Sequence, residues 1–170
     1  MNTHLARVVP VLLTITALFF FPGCERHERS APDSRIAFEH IGFYYGNMFL
    51  EEDLPSIHVL TNRDSPLPPG WQGGPWLESV DFSKYYVIIA RYGFSGSTNG
   101  AITVTDIWQD ASIVTVRALF LLYPGAAFAE ITAPAHIIKV RRDAMKRLGE
   151  TKFRLIDDYE KERAILTTSL

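Results

Sequence analysis

The residues best equipped for chemistry fall into a few small groups. Ser95, Ser97 and Thr98 supply hydroxyls within residues 93–100, GFSGSTNG. Hydrolysis at a Ser/His/Asp site needs a nucleophile held against a base in three dimensions. Gly93-Phe94-Ser95-Gly96 lacks the GxSxG elbow spacing, and the loop lacks the Gly-Lys-Ser/Thr ending of a phosphate-binding P-loop. A hairpin connection is the plainer reading of Ser97, Thr98, Asn99 and Gly100. His27, His40, His58 and His136 contain no pair at metal-ligand spacing such as HxxxH. A hydrogen-bonded or exposed histidine is their ordinary role. Asp106, Asp110, Asp157 and Asp158 suit acid–base work on a sugar only at a set separation. Asp110, Asp157 and Asp158 stand where turns are expected, and Asp is favoured there for local hydrogen bonding. Nothing calls for a cofactor or a metal. Trp71 and Trp76 lie in residues 61–76, TNRDSPLPPGWQGGPW. Aromatic residues on loops suit partner contact. The competing reading folds both rings back to plug one end of a sheet.

The elements that must position these groups are mostly strands. Residues 85–92, YYVIIARY, form a continuous apolar run of strand length, which suits burial on both faces. The glycines and Asn99 of residues 93–100 break it. In residues 101–108, Ile102 and Val104 face one way, Thr103 and Thr105 the other. Gln109-Asp110 is the expected turn. Residues 112–122 place Val114, Val116, Ala118, Phe120 and Leu122 on one face, with Thr115 and Arg117 opposite. Pro134 is expected to precede a further strand over residues 136–141. A strand is predicted near residues 35–45, another at 57–60, and a hairpin near 152–157 and 163–167. Residues 143–148 read as a short helix ended by Gly149. The four prolines and three glycines of residues 61–76 exclude a regular element there. The expected class is mainly β, an antiparallel sheet, sandwich or open barrel with at most one or two short helices.

The N-terminus carries the one targeting signal. Residues 8–21, VVPVLLTITALFFF, are apolar but short of the about 20 residues a membrane-spanning helix needs. A secretory signal is expected. Gly23-Cys24 then resembles a bacterial lipobox, with Phe21 in place of the usual Leu, and Cys24 is the sole cysteine. Cleavage would leave Cys24 as the lipidated first residue. The expected organisation is a lipoprotein signal peptide at 1–23, a flexible polar tether at 24–35, and a single β-rich domain at 36–170. Loss of residues 1–23 removes Arg7 and leaves 16 Lys and Arg against 19 Asp and Glu. That balance gives no case for nucleic acid.

The central block resembles the C-terminal domain of PrcB-like proteins, the protease complex subunit family. The residues that carry the likeness are Val80-Asp81-Phe82-Ser83-Lys84 before a strand, Ser97-Thr98-Asn99-Gly100 opening the next, Pro124-Gly125, and Pro134 with the strand HIIKV. Where the family favours Thr-Gly-Gly-Tyr, Asn99 replaces the first glycine and Ala101 the tyrosine. The resemblance implies an accessory lipoprotein, not an enzyme, that supports a cell-surface or periplasmic protease. The expectation is therefore a non-catalytic envelope protein, held at the membrane by lipidated Cys24 and bound to a protein partner. Glu25 in place of Asp after the cysteine favours the outer membrane over the inner. Trp71 and Trp76 are the first candidates for the partner contact, and Ser97, Thr98, Asn99 and Gly100 the second. The alternative is an envelope hydrolase with a site near residues 93–100. A small-ligand-binding barrel is a third reading.

Overall fold

The computed structural model describes residues 34–46, 54–93, 100–122 and 132–170. Among them the chain runs β1 (Phe38–Gly46), β2 (Ser56–Leu60), α1 (Pro75–Glu78), β3 (Tyr85–Arg91), β4 (Gly100–Asp110), β5 (Ile113–Leu122) and β6 (Ala133–Arg141). A 3-10 turn (Arg142–Ala144), β7 (Glu150–Ile156) and β8 (Glu162–Ser169) follow. The fold is mainly β, as its alternating and apolar segments predict. The strands make two four-stranded sheets, β1-β6-β3-β2 and β4-β5-β7-β8, that do not close into a barrel.

Alternation explains how the sheets pack. Tyr86, Ile88 and Ala90 of β3, with Ile138 and Val140 of β6, face the second sheet. There they meet Ile102, Val104, Val114, Val116, Phe153 and Leu155. Val87 and Ile89, with Ala135 and Ile137, point the other way into a second core with Leu60, Trp71, Leu77 and Val80. The strand YYVIIAR is thus apolar on both faces because it is covered on both.

The cover on that outer side is built from residues 61–80. Ser65 Oγ accepts the backbone N–H groups of Thr61 and Asn62, which fixes the first bend. Pro68-Pro69-Gly70-Trp71 then makes a tight turn, with Trp71 N–H donating to the Pro68 carbonyl at 3.0 Å. Gly70 has φ 75, the positive value that the third position of a type II turn requires. Pro75 opens α1 at a position where its missing N–H costs nothing. Pro and Gly here shape a roof over the first sheet.

Four details depart from the expectations. β4 continues through Gln109 and Asp110, and the chain turns at Ala111-Ser112, where Ala111 adopts φ 49. Gln109 is buried, bonding the carbonyls of Ala111 and Lys146 and the N–H of Lys146. Pro134 lies inside β6, not before it. The helix expected at residues 143–148 is only the three-residue 3-10 turn. Finally, β5 and β7 are parallel, because the chain crosses to the first sheet as β6 between them.

Candidate functional site

The two tryptophans selected from sequence are part of the roof. Trp71 is only 7% exposed, and its ring lies 4.2 Å from that of Tyr44. Trp71 is packed into the core on the outer face of the first sheet. Trp76 is half-buried against the same core. Gly100 begins β4, paired with Leu122. Cys24, Ser97, Thr98 and Asn99 lie outside the described residues, as do Ser95, Pro124 and Gly125.

Among the described residues, His40 and His136 form a pair. His136 is fully buried on the inner side of β6, and Phe43 stacks on it with ring centroids 4.4 Å apart. The Val104 N–H donates to His136 Nδ1 at 2.8 Å. With Nδ1 an acceptor, the proton of neutral His136 sits on Nε2 and donates to His40 Nδ1, 2.8 Å away. Burial, and next the neighbouring His40, push His136 down to about 4. The pair links the two sheets, since Val104 belongs to β4 and His136 to β6. Among the described residues, no group of three or more His, Cys, Asp and Glu could hold a metal ion.

Two of the four aspartates, Asp106 and Asp157, hold structural bonds. Asp106 pairs with Arg35 at 2.9 Å. Asp157 is buried and accepts the N–H groups of Tyr159 and Lys161 and the guanidinium of Arg163, fixing the β7–β8 hairpin. Burial pushes its carboxyl up, but the bonds from Lys161, Arg163 and Tyr159 outweigh that and hold it below the ordinary value.

The outer face of the second sheet carries a distinctive, half-buried arrangement. The strand registers place Trp108, Thr115, Arg154 and Ile165 in one row straight across four strands. Asp106 and Arg117 begin the next row, and Asp110, Ile113, Lys152 and Thr167 make the row on the other side. Arg117 lies over the Trp108 ring at 5.0 Å from its centroid. Arg154 donates to the Thr115 hydroxyl at 3.3 Å, and Thr115 is buried between its neighbours. Ile165 is 46% exposed and Ile113 37%. Among the described residues no helix or loop layer packs on this face, in contrast to the roofed first sheet. A ring with a guanidinium over it, a second guanidinium and two isoleucines on a flat strand surface is chemistry suited to contact with another protein.

Sequence alternation hid Trp108. Counted by twos from Ile102, Trp108 belongs to the inner face. The β4–β5 register shifts between Val104 and Asp106, and the extra residue Thr105 reverses the alternation. Ile107 therefore turns inward and Trp108 outward. Arg117 was legible as outward, opposite Val116.

Comparison with protein-family models, with curated proteins and with solved structures finds no match. Among the described residues, no helix is long and apolar enough to cross a membrane.

Proposed function

We propose that this protein is a lipid-anchored, non-catalytic accessory subunit of the bacterial cell envelope, binding another protein through the outer face of its second sheet. The observation that carries the reading is the asymmetry of the two sheets. One outer face is roofed by residues 61–80, and the other presents Trp108, Arg117 and Arg154 with no described layer over it. Tryptophan and arginine are the residue types that dominate binding energy at protein interfaces. Lys152 and Arg154 fit an acidic partner surface, and Arg117, which pairs with Glu160 at 3.3 Å, lies beside them. Gly23-Cys24 at the end of the apolar N-terminal run supports the anchor, and Glu25 supports outer-membrane placement. Anchoring raises the concentration of any partner held at the same membrane. The likeness of Val80-Asp81-Phe82-Ser83-Lys84 and HIIKV to PrcB-like proteins makes an envelope protease the first partner to test.

The test compares the intact lipoprotein with Arg117→Glu/Arg154→Glu and with Trp76→Ala, each confirmed folded. Co-purification of one envelope protein should be lost in the arginine pair and kept in Trp76→Ala. Retention in the arginine pair with loss in Trp76→Ala would return the contact to the roof.

A further inference from the structure

A hollow of ≈ 460 Å3 opens where β3 begins and β6 ends. Lys84, just before β3, lines it with Arg141 at the end of β6, Arg142 in the 3-10 turn and Arg147 beyond it. Asp143 is the one carboxylate in the lining, and Met145, 4% exposed, adds an apolar surface. Four cations to one carboxylate is a local reversal in a chain whose net charge is −2. We propose that this hollow is a binding site for a phosphate ester.

Its arginines differ in how they are held. Arg142 is preset: its guanidinium lies 4.3 Å over the Tyr86 ring centroid and donates to the Thr61 carbonyl. Its backbone N–H donates to the Lys84 carbonyl at 2.8 Å. Its Nε–H is buried with no acceptor among the described residues. Lys84 and Arg141 hold exposed ion pairs, with Asp81 at 3.0 Å and Asp143 at 2.5 Å. Such solvent-facing pairs are weak and exchange readily for a better anion. Arg147 has no ion pair or hydrogen bond among the described residues and is exposed at the rim.

The excess of cations calls for a ligand with more than one negative charge. Guanidinium forks match the oxygens of phosphate, and a lysine adds a mobile point charge. The volume exceeds that of a bare phosphate and sits within the about 300–1,000 Å3 range of small-molecule sites. Met145 gives the organic part of an ester an apolar contact. Two sources offer this chemistry, a soluble phosphate monoester and a phosphorylated lipid headgroup. The site lies on the first sheet, so it stands or falls separately from the partner face on the second.

The test uses full-length protein in detergent and native mass spectrometry. One arm adds glycerol 3-phosphate; the other adds short-chain phosphatidic acid, with phosphatidylcholine as the neutral comparison. The expected result is one bound ligand per chain in at least one arm, with phosphatidylcholine not retained. Lys84→Gln/Arg147→Gln changes exposed side chains only and should weaken binding roughly tenfold or more, for two charge-assisted contacts. Lys152→Gln, on the other sheet, should leave it unchanged. Binding only in the lipid arm identifies a headgroup, and binding in the soluble arm identifies a free ester. No 1:1 binding in either arm overturns the proposal. So does equal binding by wild type and the double variant, or equal weakening by Lys152→Gln.

Discussion

Lowering the pH should weaken this fold through His136 before its carboxylates titrate. His136 is fully buried and accepts the Val104 N–H at Nδ1, so a second proton can be placed only on Nδ1, where it opposes that N–H. Its folded value is pushed down to about 4 from the ordinary 6.5, by burial first and His40 second. The sign follows directly. The unfolded chain takes up a proton as pH falls through 6.5, and the folded chain does not until about 4. Stability is therefore full above 6.5, declines between 6.5 and about 4, and has lost the whole contribution below. At 1.36 kcal/mol per pKa unit the ceiling is roughly 3 kcal/mol. His40, the bonded neighbour, is itself exposed, and screening there brings the expected loss to about 2 kcal/mol. Asp81, lowered to about 2, and Asp157, also lowered, lose their contributions at lower pH. The perturbation that isolates His136 is His136→Asn, whose Oδ1 can still accept the Val104 N–H but cannot titrate. Urea denaturation at pH 7.5, 6.0, 5.0 and 4.5 (conditions spanning roughly the window above) should show the loss in wild type and a nearly flat profile in the variant. Parallel profiles for the two proteins would refute the reasoning, whatever the variant's stability at neutral pH.

Trp71→Ala should cost about 3–5 kcal/mol in chemical denaturation, because it empties the roof core beside Tyr44. Trp71→Phe should cost much less, since Trp71 Nε1 has no acceptor to lose among the described residues. Val116→Asp places an unpaired charge at a fully buried position, and thermal scans should show destabilisation of about 3–5 kcal/mol or failure to fold. Ala111→Gly should stabilise by about 0.5–1 kcal/mol, as glycine accepts the positive φ of the β4–β5 turn without strain. Cys24→Ser should abolish metabolic labelling with palmitate and release the protein from the membrane fraction or leave it unprocessed. A mature, membrane-bound mutant would remove the anchor from the account.

The strands were legible because their side chains obey simple alternation, and Tyr86 to Ala90 announced burial on both faces. What covered the second face was not. Residues 61–76 lack periodicity, and their prolines and glycines signal turns without saying that Trp71 and Leu77 return to the sheet. The outward placing of Trp108 was hidden by one inserted residue, Thr105, which moves it from the expected inner face to the outer. Nothing local encodes the His40–His136 bond or the meeting of Lys84 with Arg147, since both depend on how distant segments pack.

The central claim is that the open face of the second sheet is where this protein meets its partner. The most direct measurement places a photo-crosslinking amino acid singly at positions 108, 154 and 165, and at 76 for comparison, in the full-length protein in its native envelope. The account predicts one common protein adduct from 108, 154 and 165 and none from 76. Adducts from position 76 alone, or the absence of any adduct from the three sheet positions, would contradict it.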